Sequence, residues 1–288
     1  MELHATEDVD EYAKAVTPFF RADPCGRSVP FSVMELVRQG GTVHWQATPG
    51  FWYVLDGDTV CGAGHWTPPY PLLVTDMPQA AWPMIAASAL ERSSVLGIAL
   101  RSVTGPRPAA ESVAAAIAER CGLLPRLVKA LLLMQALHAV AVPRPPGTRR
   151  AAHDDELELL GSWLTAFGAE VQEPIGPDGA GQARRLSAAG SLDVWFDGGS
   201  PVSLAGYRGP YSGVVRVGPV YTPPEHRNHG YARRLVYEIT EAMLQRAGVD
   251  VCMLFADAAN PVSNGIYAQV GYRTTAEHVH VKLITGDA

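Results

Sequence analysis

Cysteine is scarce in this chain and unpatterned. Cys25, Cys61, Cys121 and Cys252 are the four in 288 residues, and none stands at a C-x-x-C or metal-ligand spacing. A disulfide framework and a cysteine-held metal are therefore not expected, and no metal site is assigned; reduced thiols in a cytoplasmic protein are the simplest account. A long hydrophobic run is also missing. The most apolar window, Leu123 to Val142, is interrupted by Pro125, Arg126, Lys129 and His138, so it reads as closing strands or a helix and no membrane association is expected. Met1 to Phe20 is acidic and has no basic n-region, so no export signal is expected. Basic excess is absent too: 23 Lys and Arg face 29 Asp and Glu, for a net charge of −6. With no basic run carrying interleaved aromatics, nucleic acid is not an expected partner. Neither Gly-Lys-Ser/Thr nor G-x-G-x-x-G occurs at a strand–helix junction, which removes nucleoside-triphosphate and dinucleotide loops.

What the chain does hold is concentrated between Val217 and Tyr272. An apolar strand, Val214 to Thr222, breaks at Pro223-Pro224 and leads through Arg227-Asn228-His229-Gly230-Tyr231-Ala232 into an amphipathic helix. A short strand-to-helix loop with Gly where a side chain would block approach turns backbone N–H groups toward the helix N-terminus, which suits a phosphate. The helix keeps Leu235, Val236, Ile239, Ala242, Met243 and Leu244 on a stripe and stops near Gly248, as helical periodicity and a C-terminal glycine predict. The unbroken apolar run Val249 to Ala256 follows, of a length and character suited to a strand buried on both faces. Then comes Asn260-Pro261-Val262-Ser263-Asn264-Gly265-Ile266-Tyr267-Ala268-Gln269-Val270-Gly271-Tyr272.

The spacing Arg-x-x-Gly-x-Ala resembles the pyrophosphate loop of the GNAT superfamily of N-acetyltransferases. The run from Asn260 to Tyr272 resembles that superfamily's second signature, in the right order after one helix and one strand. The resemblance implies acetyl-CoA as acetyl donor and a primary amine, small-molecule or peptide, as acceptor. It implies that Arg227, Asn228, His229, Gly230, Tyr231 and Ala232 cradle the phosphates, with His229 read as a solvated loop residue rather than a catalyst. It implies a strand that splays from its neighbour, so that backbone groups of Val220, Tyr221 and Thr222 meet the pantetheine amides as an added strand would. Gly218 and Pro219 in mid-strand agree with a local irregularity. Tyr267 is implied as general acid, or at least as hydrogen-bond donor to the departing thiolate. Asn260 caps its helix and is implied to touch the cofactor arm. A non-catalytic acyl-CoA-binding or regulatory protein is the rival reading.

No general base is assigned. Many relatives carry a Glu on the splayed strand, yet Val214 to Thr222 holds no carboxylate. Glu225, Tyr207, Tyr211, Glu173, His278 and His280 are the candidates, and a water relay or a partly neutral amine needs none.

The first half echoes the second. Phe51 to His65 mirrors Leu192 to Tyr207, each a strand with aromatics, an Asp-Gly turn and a strand of small residues; Pro69-Tyr70 and Pro210-Tyr211 then recur at an offset of 141. Such an offset, near half the chain, predicts a duplicated domain. The first copy lacks the glycine loop and any counterpart of Tyr267: Gln79 to Met84 leads into a plain helix, a strand is expected over Val95 to Val103, and a helix over Ala109 to Arg120. The expected organisation is α/β, two GNAT-like mixed-sheet domains in tandem. Residues 1–142 are a degenerate copy suited to packing, shaping the cleft or homodimer formation; 143–148 are a stiff Pro-rich linker; 149–288 are the catalytic domain. Asp154 is the expected N-cap of the first helix there, and Gly176 to Gly190 is expected as a mobile connection.

Overall fold

Each half of the chain folds through the same succession of elements, β-α-α-β-β-β-α-β-α-β, as a duplication requires. In the computed structural model, which describes residues 1–40, 45–171 and 178–286, the first run is β1 (Glu2–Thr6), α1 (Val9–Ala22), α2 (Ser28–Arg38), β2 (Gly50–Asp56), β3 (Thr59–Trp66), β4 (Leu72–Val74), α3 (Trp82–Leu96), β5 (Ser102–Pro106), α4 (Arg107–Cys121) and β6 (Leu124–Ala136). The second run is β7 (Thr148–Ala151), α5 (Leu157–Val171), α6 (Gly179–Ala188), β8 (Leu192–Asp197), β9 (Ser200–Tyr211), β10 (Val214–Tyr221), α7 (Tyr231–Leu244), β11 (Val251–Asp257), α8 (Pro261–Val270) and β12 (Arg273–Ile284). Both hairpins foreseen at the Asp-Gly turns form, β2 with β3 and β8 with β9. Their turns use Gly57 and Gly198 at φ 60° and 58°, a left-handed conformation that costs glycine nothing.

The chain divides into two compact units. The first comprises Met1–Leu133, Asp257–Ala259 and Thr275–Ala288. Its strands run in the order β1-β2-β3-β4-β5-β12. Period-two alternation splits its core between the two faces: Phe51 joins Tyr12, Val16, Phe20 and Met34 under α1 and α2, while Trp52 joins Leu72, Val74, Ile85, Val103 and Ile117 under α3 and α4. The second unit comprises Met134–Ala256 and Asn260–Thr274, with strands in the order β11-β10-β9-β8-β7. On one face α5 and α6 bury Leu160, Leu164, Ala183 and Leu186 against Leu192, Val194, Leu204 and Tyr221. The stripe read on α7 is buried at Leu235, Val236, Ile239 and Met243. Each such side chain contributes about 1.5–3 kcal/mol by leaving water.

These units do not end where the expected domains 1–142 and 149–288 do. Residues 134–142 group with the second unit. The C-terminal residues 275–288 group with the first, because His278–Lys282 of β12 ladder antiparallel with Ser102–Pro106 of β5 and Val279 and Val281 enter that unit's core. Four local expectations also change. Thr148–Ala151, on the linker's edge, is a strand paired with β8. Asp154 does not cap a helix: a 3-10 turn over Asp154–Glu156 starts there with His153 at the cap position, and the His153 N–H donates to Glu156 Oε2 at 2.9 Å. Within the Gly176–Gly190 stretch, Gly179–Ala188 is helix α6, capped by Asp178 accepting from the Gly181 N–H at 2.6 Å. Val95 and Leu96 finish helix α3, closed by Gly97 at φ 65°, and the strand starts only at Ser102. Among the described residues no helix is long and apolar enough to cross a membrane.

Candidate acyl-transfer site

The site grows from the parting of two strands. β10 runs parallel to β11 only over Val214–Arg216, opposite Val251–Met253. From Val217 onward its ladder is with β9 alone, and that ladder shifts register between Val217 and Val220, where Gly218 stands at φ 135°. The Tyr221 carbonyl accepts from Ser203 Oγ of β9 at 3.1 Å. Backbone groups alternate sides along a strand, so those of Val220 face the edge that β11 has left. Thr222 differs from expectation: its carbonyl is taken by Arg227 Nε at 2.9 Å. The Tyr221 side chain packs under α5 and donates to Glu170 Oε1 at 3.2 Å, so only its backbone could serve a ligand.

The loop after β10 delivers the helix N-terminus. Gly230 is the N-cap of the 14-residue α7 at φ 80°, with no side chain capping it. The first backbone bond into the helix is Arg234 N–H to Gly230 O at 3.0 Å. The N–H groups of Tyr231, Ala232 and Arg233 therefore lie outside the helical ladder, at the positive end of the macrodipole. Asn228 is also left-handed, at φ 66°, which asparagine tolerates. Tyr231 is buried and donates to Asp197 Oδ2 at 2.7 Å; that bond, before burial, holds its hydroxyl above the usual tyrosine range. His229 is exposed, as expected, and stacks on the Tyr231 ring at 5.3 Å.

Two residues that the sequence reading passed over stand beside this loop. Glu170, near the end of α5, accepts from Arg227 Nη2 at 2.7 and 2.9 Å through its two oxygens. Arg233 donates to Gln269 of α8 at 2.7 Å, while its buried Nε has no partner among the described residues. Position Arg233, three past the loop glycine, carried a signal in the helix register; Glu170 carried none, since its approach to Arg227 depends on how α5 packs.

On the far side of the parting, Asn260 caps α8 by accepting from the Ser263 N–H at 3.1 Å, which leaves its exposed amide N–H groups for other use. Tyr267 is half-buried, with its ring edge-on to Tyr272 at 6.2 Å. Burial pushes its hydroxyl up to about 12, so the proton stays on oxygen through the working range. Tyr272 below it is fixed by a 2.8 Å hydrogen bond with Thr240.

The base candidates named from the sequence do not converge. Tyr207 is buried and its hydroxyl donates to Gly190 O at 2.7 Å. Glu225 and Tyr211 are exposed. His278 and His280 stand on β12 in the first unit, and burial pushes His278 down to about 4. Glu173 lies outside the described residues.

Residues 157–272 match the acetyltransferase (GNAT) family. This segment is a GNAT-family domain. The GNAT domain thus spans both signatures and the open edge of β10. Among solved structures, the whole chain is similar to a GCN5-related N-acetyltransferase from Sphaerobacter thermophilus, at 16% identity and TM-score 0.63, covering 97% of this chain and 95% of that one. It is similar to a GNAT-family acetyltransferase from Colwellia psychrerythraea, at 12% identity and TM-score 0.62 over 99% and 100% of the two chains. A tandem GNAT protein from the clavulanic acid biosynthesis pathway matches at 14% identity and TM-score 0.53 over 98% of each. At such identities the likeness is one of fold, and the fold is GNAT over the full length, mixed α/β in both halves. Comparison with curated proteins gives no match.

Proposed function

We propose that the chain is an acetyl-CoA-dependent N-acetyltransferase whose chemistry lies in the GNAT domain. The observation that carries this reading is the conjunction of an open β10 edge beyond Arg216 with an uncapped helix N-terminus one loop later. The residues fit the donor: the free N–H groups of Tyr231, Ala232 and Arg233, the left-handed Gly230 and the unpartnered Arg233 Nε suit a pyrophosphate, and Val220 suits an amide arm. When bound, acetyl-CoA supplies an activated acetyl group open to direct attack by an amine.

The chain's own residues then orient and hold protons. Tyr267, with its hydroxyl pushed up to about 12, is a hydrogen-bond donor to a developing thiolate. Full proton transfer to a thiol of ordinary pKa would run uphill by roughly three units, so its larger contribution is charge stabilisation. Asn260 orients α8 and offers its amide to the cofactor arm. β10 brings no carboxylate, so the acceptor amine loses its proton to water or arrives neutral.

That missing carboxylate is also what favours the second reading, a non-catalytic acyl-CoA-binding protein. Calorimetric titration with acetyl-CoA, followed by thiol-release assays over an amine panel, separates the two. Binding with amine-dependent thiol release supports transfer; binding with no release over any amine supports the sensor; no binding removes both.

A further inference from the structure

The sheet face beneath α6 carries two guanidiniums side by side. Arg208 of β9 and Arg216 of β10 are register partners across the ladder, so their side chains leave the sheet on one face. That face is the one α6 covers: Gly206, two residues before Arg208, would meet Leu186 of α6 with any added Cβ, at 3.1 Å. Arg185 of α6 adds a third positive charge near Arg208, and its own pairing, with Asp178 at 3.9 Å, is long and exposed.

The place matters as much as the charge. Arg216 is the last residue of β10 laddered to β11, and Arg208 Nη1 donates to the Gly218 carbonyl at 3.2 Å, within the stretch where the strands have parted. Both arginines are half-buried. Desolvation, then the neighbouring Arg208, pulls Arg216 down to about 10, so both remain cationic at neutral pH. Among the described residues Arg208 reaches a carbonyl and no carboxylate. Arg216 keeps a further contact of its own; what counts here is its charge beside Arg208. A desolvated Arg208 that reaches only a carbonyl is costly unless an anion joins it, and the planar guanidinium fork matches a carboxylate.

We propose that the acetyl acceptor is a small amine that also carries a carboxylate, with Arg208 binding the carboxylate beside Arg216 while the amine points into the parting of β10 and β11. This rests on the acetyl-transfer reading above and names the substrate class for it.

The test uses the full chain and matched pairs: amino acids and their carboxamides, read by thiol release from acetyl-CoA and by calorimetric titration into CoA-saturated protein. The acid of a productive pair should show a KM at least about tenfold below its carboxamide, the value of one charge-assisted hydrogen bond. Arg208→Gln should bring that ratio close to one. A carboxamide used as well as its acid by the wild-type protein overturns the proposal, whatever the variant does. If neutral amines release thiol while the acids neither bind nor react, the transfer reading stands and this inference falls. If the acids bind, lose binding in Arg208→Gln and never react, the anion site stands and the transfer reading falls. If nothing binds or reacts, both fall.

Discussion

Arg227, in the loop before α7, and Glu170, near the end of α5, hold each other, Nη2 donating at 2.7 and 2.9 Å to the two carboxylate oxygens. On the proposed reading, a cation that would serve a ligand phosphate is shared with an internal carboxylate. Both groups are substantially exposed, so the pair itself contributes no more than about 1 kcal/mol. Glu170→Gln should release Arg227 and tighten acetyl-CoA binding, by up to about fivefold. Calorimetry at fixed ionic strength reads this; weaker binding in the variant would show that Glu170 positions Arg227 rather than competing for it.

Tyr267→Phe removes the hydroxyl proposed to donate to the sulfur. Thiol release with a working acceptor should fall about 10²- to 10³-fold, with acetyl-CoA affinity changed by less than about twofold. Turnover that survives intact removes the assigned role.

The pH profile gives an independent check on the same residue. A hydroxyl near 12 stays protonated below that value, so any alkaline loss of activity between pH 7 and 10 must belong to another group. An alkaline limb in that range that disappears in Tyr267→Phe would contradict the assignment.

Gly230→Ala places a Cβ at φ 80°, at a cost of about 1–2 kcal/mol, and 3.3 Å from Arg233 Nη2. Urea unfolding should show that loss. Acetyl-CoA affinity should drop at least about tenfold, because the loop must shift away from the phosphate to relieve the strain.

His65 makes the first unit acid-sensitive. It is 1% exposed, with neither ring nitrogen partnered among the described residues, and burial pushes it down to about 4. Unfolded, it binds its proton near 6.5, so the unfolded state takes up more protons below that pH. Stability is full above about pH 6.5 and declines toward pH 4, by about 3 kcal/mol over the window. Urea midpoints measured against pH should show this slope, and His65→Leu should remove His65's share of it, leaving the part due to His278, which burial also pushes down to about 4.

Much of the site could be read along the chain because it is built from local signals. Gly230 marks a left-handed cap, Asn260 an N-cap, and the apolar run from Val249 a buried strand; each needs only its neighbours to act. The hairpin turns at Gly57 and Gly198 were readable for the same reason, and with them the duplication. The candidates His278 and His280 stand away from the site because period-two alternation says which face a residue takes within a strand but not which strand it ladders with. β12 ladders with β5, some 170 residues earlier in the chain. Helix α6 was hidden by Gly179 and Gly181 and by the Gly-Pro pair before it, which lower helix propensity, although its Ala residues favour helix and Ala183 and Leu186 are buried against the sheet.

The sequence alone determined the local pieces: a glycine-capped helix start, a strand with an irregularity at Gly218 and Pro219, and a tyrosine on the helix beyond. These follow from backbone chemistry that acts over a few residues. The tertiary structure alone decided which charges meet. Glu170 beside Arg227, Arg208 beside Arg216, and Arg233 beside Gln269 are meetings between elements distant in sequence or on adjacent strands, fixed by register and packing, and no local pattern encodes them.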